Sequence, residues 1–411
     1  MPFALRITLF TLAMLLLVGA TSVYVYRRAS KVLRLGRRGK LALGLTLGIA
    51  PLGMLVARLF EPWLPASVAF PLGIVGGTVI LGIWISTVLL WAVDLPFALA
   101  GLAKRLRRSR GDGAVAPLAP PPDLPPEGGE EIASLTRRDM IRTSATGVAL
   151  SVGFGAAGYG SIFGRMDYEV PEVPIPIAGL DPALDGYRIA QISDIHFGVY
   201  VGDRQLRAGV ELIRAARPDL IVMTGDLVDH DVAYAPQLGR MIRQLEQLGA
   251  RDGVVVIPGN HDYYAGVDEV LGISRRAGAT VLRNEGRVLQ DGIALVGVDD
   301  VWARRNGYRG GPDLPAALAQ VPDDLPRVLL CHNPVFFEEA RGQVALQMSG
   351  HTHGGQVNLG IRPADMLLPY VHGHYREEGS SLYVNRGFGT AGPPARVQAP
   401  PEITVAVLTS A

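Results

Sequence analysis

The pattern of apolar residues divides the chain into two unlike regions. In the first 103 residues, apolar segments occupy positions 3–26, 41–60 and 72–93, and together they contain only two charges, Arg6 and Arg58. Because an α-helix rises about 1.5 Å per residue, each segment can cross a hydrocarbon core about 30 Å thick. The pattern therefore predicts a membrane region with three transmembrane helices at 1–103.

Cations alternate along this region. The loop at 27–40 carries seven Lys and Arg residues, "EPWLP" at 61–65 carries none, and "KRLRRSR" at 104–110 carries five. Loops rich in Lys and Arg remain in the cytoplasm. The first and third loops are therefore expected inside and the second outside.

A basic and proline-rich cytoplasmic linker is predicted at 104–138. Six prolines lie between positions 117 and 126, a composition that does not bury a core. Thr136, Arg137 and Arg138, followed by Met140 and Ile141, resemble a twin-arginine export signal. An apolar stretch follows at 143–163, so residues 139–165 are either a fourth span or an internal signal-anchor. Both place the remaining residues on the outer face of the cytoplasmic membrane.

Residues 166–411 show the mixed pattern of one large α/β domain. Strands are predicted in eight short apolar runs: "YRIAQIS", "DLIVMT", "GVVVIP", "IALVGV", "RVLLC", "VALQMS", "LYVN" and "ITVAVL". Apolar residues at helical spacing predict helices at 203–216 and 234–248, and further helix is expected at 268–277 and 334–341. A domain of 246 residues is large enough to bury its own core.

The composition of the chain excludes several classes of function and of metal site. Mean hydropathy is +0.24, which favours membrane segments, and the net charge of +1 gives no indication of nucleic acid as a partner. The single cysteine, Cys331, excludes an intramolecular disulfide and a thiolate metal site. Motifs for acyl transfer, NTP binding and hydride transfer are lacking. Cys331 is expected to be a buried core residue.

Polar residues follow five of the predicted strands directly. These are Asp194 and His196, then Asp226, then Asn260, His261 and Asp262, then His332, and finally His351 and His353 in "GHTHGG". Ligands of α/β sheets bind beyond the carboxyl ends of strands, so these side chains are expected along one rim. Carboxylate, amide oxygen and imidazole suit divalent metals such as Mn, Fe or Zn. Preceding glycines allow close backbone approach at the strand ends.

The order D-x-H, G-D, G-N-H-D, a lone His and G-H-x-H resembles the calcineurin-like metallophosphoesterases. The phrase "GVDD" at 297–300 and the tail "NRGFGTAGPPARVQAPPEITV" are similar to the membrane-associated YaeI- and YkuE-like phosphodiesterase branch. The resemblance implies a four-layer αββα sandwich preceded by the N-terminal transmembrane helices. It also implies two divalent metal ions per subunit and hydrolysis of phosphoester bonds by metal-activated hydroxide.

The resemblance assigns roles to individual residues. Asp194, His196, Asp226 and His353 would hold one metal, while Asp226, Asn260, His332 and His351 would hold the second, with Asp226 bridging. His261 would be the general acid for the leaving alkoxide. Asp262 would either orient the His261 ring or cap the following turn. The other histidines are His230, expected on an exposed loop, and His372 and His374, to which the pattern gives no role beyond rim or surface.

These observations lead to three alternative hypotheses about the function. The first is a membrane-anchored phosphoesterase, with a phosphodiester as substrate, acting outside the cytoplasmic membrane. The second is a lipid-specific phosphohydrolase of the UDP-diacylglucosamine type, because the spans would hold the site near a bilayer. The third is a non-catalytic membrane sensor that uses its metals structurally. The expected partners are a phosphoester substrate and the membrane.

Overall fold

The computed structural model describes residues 3–109, 137–290, 292–305 and 310–410. The proline-rich stretch at 111–130 and Thr136 lie outside the described residues, as do the side chains of Arg137 and Arg138. Contacts divide the chain into two compact units. The first comprises residues 1–53 and 78–158, and the second comprises residues 54–77 and 159–411.

Four long helices begin the chain. They are α1 (Phe3–Val32), α2 (Arg37–Leu59), α3 (Ala66–Ser109) and α4 (Arg137–Ile162). Each contains a stretch long and apolar enough to cross a membrane, at Thr11–Val32, Arg37–Leu59, Ala66–Ala103 and Met140–Met166. These helices coincide with the three apolar segments and the fourth apolar stretch of the sequence. Helix α3 continues beyond its apolar segment into the basic residues that follow.

A polar cluster lies among the helices of the first unit. The Asp94 carboxylate accepts a hydrogen bond from Tyr24 at 2.8 Å and forms ion pairs with Arg28 and Arg142. The cations compensate an acidic charge that is only partly exposed. An apolar cluster that includes Val25, Leu47 and Ile83 packs nearby.

The second unit contains twelve strands: β1 (Glu172–Ile177), β2 (Arg188–Ile192), β3 (Leu220–Thr224), β4 (Val254–Ile257), β5 (Thr280–Val281), β6 (Glu285–Val288), β7 (Ala294–Gly297), β8 (Arg327–Leu330), β9 (Leu346–Ser349), β10 (Gly373–Glu377), β11 (Ser380–Val384) and β12 (Thr404–Ser410). Its shorter helices are α5 (Asp203–Ala216), α6 (Ala235–Glu246), α7 (Asn260–Ala265), α8 (Val267–Arg276), α9 (Val301–Arg305), α10 (Leu314–Leu318) and α11 (Phe337–Ala340). All eight predicted strands are present. The predicted helices begin and end within one or two residues of their expected bounds, except that α11 is shorter than the predicted 334–341.

The strands form two six-stranded sheets, in the orders β1-β12-β2-β3-β4-β5 and β10-β11-β9-β8-β7-β6. In the first sheet β2, β3 and β4 are parallel neighbours, and in the second β7, β8, β9 and β11 are parallel. Strands β1, β5, β6 and β10 were absent from the sequence prediction. All four lie at sheet edges, where two prolines in β1 or the polar residues of β10 remove the apolar run.

Alternating side chains of the strands build four layers. Ile189 and Val222 of the first sheet pack against Val328 and Met348 of the second in one buried cluster. The strand residues that alternate with these point to the outer face of the first sheet, where they pack against helices α5, α6 and α8. On the outer face of the second sheet, they pack against α10 and α11. This αββα arrangement is the predicted fold, and Cys331 is buried within it as expected.

Candidate metal centre

All the residues singled out at strand ends lie on one edge of the sandwich. Asp194 and His196 follow β2, Asp226 follows β3, and Asn260 with His261 begins α7 after β4. His332 follows β8, while His351 and His353 follow β9. Because β2, β3, β4, β8 and β9 point their carboxyl ends toward the same edge, residues far apart in sequence meet there.

A first cluster contains Asp194, His196 and His353. One potential ligand atom from each lies within 4.8 Å of the others. The Nε2 atoms of His196 and His353 are 3.1 Å apart, and the His353 Nε2 lies 3.4 Å from the Asp194 Oδ1. All three side chains are buried.

A second cluster contains Asp226, His332 and His351, whose potential ligand atoms also lie within 4.8 Å of one another. The His351 Nδ1 is 3.2 Å from the His332 Nε2, and the His332 Nε2 is 3.3 Å from the Asp226 Oδ2. The other ring nitrogen of His332, Nδ1, lies 2.8 Å from the Thr224 carbonyl oxygen. This contact makes Nδ1 the donor, so in the neutral ring Nε2 carries the lone pair.

Asp226 lies between the two clusters. Its Oδ2 is 3.6 Å from the His196 Nε2 and 3.3 Å from the His332 Nε2. Its other carboxylate oxygen accepts a hydrogen bond from the His261 amide at 2.8 Å. One carboxylate therefore stands within reach of ligand atoms from both groups.

Asn260 directly precedes His261, whose amide donates to the Asp226 carboxylate of the second cluster. Its side-chain oxygen is buried, and within the described ranges no donor reaches it. A buried acceptor without a partner costs about 1–3 kcal/mol, so such atoms need an explanation. A cation would satisfy it.

The donor set fits divalent metal ions. Two pairs of histidine nitrogens face each other at 3.1 and 3.2 Å, and one nitrogen of each pair lies 3.3–3.4 Å from a carboxylate oxygen. Buried imidazole, carboxylate and amide oxygens together are typical ligands of Mn, Fe and Zn. The predicted residues can therefore hold metal.

The backbone at these positions is unusual. Asp194, His196, Asp226, His351 and His353 all have φ between +51° and +73°. Residues other than glycine rarely adopt this left-handed conformation, which costs roughly 1–3 kcal/mol at each position. Strain of this kind concentrates at functional sites and here turns the side chains toward one point.

Gly259 makes the close approach of the β3 and β4 loops possible. A Cβ atom at this position would collide with the Asp226 carboxylate and its backbone nitrogen. Its φ of −113° is open to any residue, so space, rather than backbone conformation, requires the glycine.

His261 contacts Asp229, a residue that the sequence reasoning did not identify. The His261 Nδ1 lies 2.6 Å from the Asp229 carbonyl oxygen and 3.2 Å from its Oδ1. Burial lowers the pKa of His261, but the charges of Asp226 and Asp229 outweigh it and raise the pKa to about 9. The signal in the sequence is the second aspartate of "GDLVD", three residues after Asp226.

Asp262 does not orient the His261 ring. Its Oδ1 accepts hydrogen bonds from the amides of Leu227 and Val228 at 3.0 and 3.2 Å, and its Oδ2 accepts from Gly259 at 2.8 Å. Burial, followed by the charge of Asp226, raises the pKa of Asp262 to about 7. Asp262 therefore caps the α7 turn and ties it to the loop after β3.

Arg396 is a second residue that the sequence reasoning missed. It is fully buried, donates to the His353 carbonyl oxygen at 2.9 Å, and places Nη2 3.0 Å from the His353 Nδ1. Burial and the guanidinium charge both hold the pKa of His353 well below its usual range. The imidazole therefore stays neutral, the state that binds metals. Its signal is the "PPAR" of the C-terminal tail.

The remaining histidines lie outside the two clusters. His230 is not an exposed loop residue, because its ring pairs with Glu61 at 3.0 Å and with Asp229 at 3.1 Å. His372 lies 3.6 Å from the buried Glu402, and His374 is exposed on β10. Their positions give neither a ligand role.

Comparisons with known proteins identify the family to which the chain is similar. The model of the calcineurin-like phosphoesterase family matches residues 187–355. The chain is 34% identical over 283 residues to the uncharacterized metallophosphoesterase YkuE of Bacillus subtilis, covering 66% of this chain and 96% of that protein. It is also 34% identical over 278 residues to a transmembrane protein with metallophosphoesterase domain from Danio rerio, covering 65% of this chain. The match spans 63% of the length of that fish protein.

Proposed function

Because the chain belongs to the calcineurin-like phosphoesterase family, we propose that it is a membrane-anchored, metal-dependent phosphodiesterase with a dinuclear centre. The observation that carries the proposal is the position of Asp226, whose carboxylate lies within 3.6 Å of ligand nitrogens from both clusters. A shared carboxylate is the feature that distinguishes a two-metal site from two separate sites.

Each metal would have four protein ligands. Asp194, His196, Asp226 and His353 would hold one ion, and Asp226, Asn260, His332 and His351 would hold the other. Bound divalent ions supply Lewis-acid charge that acidifies water and stabilises the anionic transition state of phosphoester hydrolysis.

His261 would supply the proton to the leaving alkoxide. Its Nδ1 is held by Asp229, so the opposite ring nitrogen remains available to a substrate, and its amide is fixed to the Asp226 carboxylate. A positioned acid contributes roughly 10² to 10⁴ in rate. Asp229 would act through His261 as a positioning residue.

We place the catalytic unit on the outer face of the cytoplasmic membrane. The cation-poor segment around Glu61 and the catalytic domain belong to one compact unit, and Arg58 binds the Asp229 carboxylate at 2.9 and 3.0 Å. This contact supports a common side for both, and the positive-inside rule assigns that segment to the outside. A reporter that is active only outside the cytoplasm, fused after residue 411, should be active; an inactive reporter with a folded fusion would contradict the orientation.

Hydrolysis of bis-p-nitrophenyl phosphate by the full-length protein with added Mn²⁺ tests the activity. Asp226→Asn and His261→Ala should each lower kcat by at least about 100-fold. Asp323→Asn and His374→Ala are matched controls, because both side chains are exposed and lie outside the clusters, and they should retain activity. Metal binding without turnover on mono- and diesters would contradict the proposal and favour the sensor hypothesis.

A further inference from the structure

An exposed apolar loop lies beside the metal centre. We name residues 359–368, which follow the metal-ligand turn at His351–His353, the rim loop. Ile361, Met366 and Leu367 are 70%, 83% and 84% exposed. The only charged residues of the loop, Arg362 and Asp365, pair with each other at 3.0 Å. Exposed apolar side chains without net charge favour a nonpolar partner.

The rim loop is held in place at its base. The Asn358 side chain donates to the carbonyl oxygens of Gly354 and Gln398, both at 3.1 Å, and the Gly360 amide donates to the Gln398 Oε1 at 2.7 Å. The adjoining Gln356 donates to the Pro393 carbonyl oxygen at 3.0 Å. The apolar tips are therefore presented outward from a base that is fixed to the 390–398 segment.

The edge that carries the rim loop also contacts those parts of α2, α3 and α4 that belong to the second unit. All of the following contacts lie within the second unit. Arg58 at the end of α2 binds Asp229, and the Phe70 ring near the start of α3 packs against Tyr200 with centroids 6.3 Å apart. The 390–398 segment contacts α4 and a second position on α3. The Arg396 amide donates to the Gly160 carbonyl oxygen of α4 at 3.1 Å, and Pro394 packs against Gly77 of α3.

These contacts and the candidate ligands lie at the same edge of the sandwich. Loops after β2, β3 and β11 bind the helix ends, and loops after β2, β3, β4, β8 and β9 carry the candidate ligands. Both sets lie at the carboxyl edge of the sheets. Within the second unit, the edge with the candidate metal centre is therefore also the edge that contacts α2, α3 and α4, and Trp63, which is 75% exposed, lies in the segment between α2 and α3.

An apolar cavity connects the rim loop to the centre. It has a volume of about 210 Å³ and is lined by Pro334, Val335, Leu368 and Pro369, with His351 at one side and the polar residues Asn333, Thr352 and Tyr370 completing the wall. Leu368 belongs to the rim loop, so the cavity extends from the loop to a candidate metal ligand. Its lining suits a hydrocarbon portion of a substrate.

We propose that the rim loop is a bilayer-contacting surface that presents the site to amphiphilic phosphoesters drawn from the membrane. Ile361, Met366 and Leu367 enter the lipid surface, and the cavity receives the apolar part adjoining the phosphoester. This inference rests on the proposed function for the chemistry of the substrate. The lipid contact itself does not depend on turnover.

A site-specific probe tests the lipid contact. Cys331 is the only cysteine and is buried, so a Cys331→Ala background allows labelling at Met366→Cys with an environment-sensitive fluorophore. Val288→Cys is the control, because Val288 is also exposed but pairs with the amino end of β7, at the opposite edge of the sheet. The full-length protein is placed in nanodiscs with spin-labelled lipids or exposed to aqueous iodide.

The label at position 366 should be quenched by the lipid spin labels and protected from iodide, whereas the label at position 288 should show the reverse. Equal quenching at the two positions would overturn the proposal. Protection from iodide without lipid quenching would also overturn it, because it would assign the loop to a protein partner.

A pair of substrates tests the consequence for activity in the same nanodiscs. The double variant Met366→Ser and Leu367→Ser should keep its kcat/KM for bis-p-nitrophenyl phosphate and lose about tenfold for a p-nitrophenyl diester with a hexadecyl chain. Val288→Ser should change neither. Equal losses on both substrates would mean that the loop is structural and would contradict the proposal. Absence of turnover by the unaltered protein would instead contradict the phosphodiesterase function, while the label would still report the lipid contact.

Discussion

The Asp229 carboxylate lies between Arg58 and His261. Arg58 binds both of its oxygens at 2.9 and 3.0 Å, and one of them is 3.2 Å from the His261 Nδ1. A residue at the end of a membrane helix is thereby connected, through one buried acidic side chain, to the proposed general acid. Arg58, Asp229 and His261 therefore form one contact network within the second unit.

Asp229→Asn should lower kcat by roughly 10- to 100-fold, because the neutral amide keeps the shape of the side chain but loses the charge that holds and balances the His261 ring. KM for bis-p-nitrophenyl phosphate and bound metal should change little. Steady-state kinetics with metal analysis checks this.

The matched control is Asp231→Asn, since Asp231 caps the next turn through the Ala233 amide and asparagine caps equally well. Full activity in Asp229→Asn would show that the contact has no role in catalysis. Loss of metal in that variant would assign Asp229 to metal binding instead.

Metal content should distinguish the two clusters. His332→Ala and His353→Ala should each lose about one ion per chain, while Asp226→Ala should lose about two, because the Asp226 Oδ2 lies within 3.6 Å of nitrogens from both clusters. Elemental analysis of purified full-length variants measures this. His374→Ala should retain the wild-type content, and an Asp226→Ala variant that loses no more metal than His332→Ala would contradict the shared carboxylate.

Gly259→Ala should destabilise the protein by about 1–3 kcal/mol and reduce activity, since the added Cβ would displace the Asp226 carboxylate. Gly202→Ala is a matched control: both glycines precede helices with extended backbones, but a Cβ on Gly202 meets open space. Thermal unfolding and diester hydrolysis measure the two effects. Similar behaviour of the two variants would argue against the steric explanation.

His230 should stabilise the folded protein in a pH-dependent way. Hydrogen bonds to Asp229 and Glu61 raise its pKa to about 9, above an unfolded value of about 6.5. A raised pKa means that folding takes up a proton between these values. The stabilisation is therefore complete below about pH 6.5 and is lost as the pH rises through 9.

Unfolding temperatures of the wild type and His230→Gln, measured in the same detergent, check this. The difference between them should be greatest near pH 5.5 and disappear near pH 10, about one unit beyond the two pKa values. His374→Gln, a change at an exposed histidine, should show no such loss with rising pH. A constant difference across the range would mean that the His230 charge contributes nothing.

Much of the fold follows from local patterns. The eight predicted strands are buried in the core, and their apolar runs are visible because both faces of a central strand are covered. Edge strands were missed since one side faces solvent and their residues are polar or proline. The types of the candidate ligands were also visible, because each follows directly after a buried strand.

Contacts between distant segments were not visible. The sequence places Asp262 next to His261, yet Asp229, thirty-two residues earlier, holds the His261 ring. Likewise Arg396 reaches His353 across forty-three residues. No local pattern encodes such distances, since the packing of two sheets and their loops determines them.

The amino-acid sequence by itself determined the apolar spans, the positions of the central strands along the chain and the candidate oxygen and nitrogen ligands that follow them. It could do so because hydrophobic burial and chain periodicity act over a few neighbouring residues. Only the tertiary structure decided that Asp229 and Arg396 reach the rings of His261 and His353, that Arg58 reaches Asp229, and that an exposed apolar loop flanks the candidate metal centre. The reason is physical: parallel strands bring their carboxyl ends to one edge, and side chains from separate loops meet there only after the two sheets have packed.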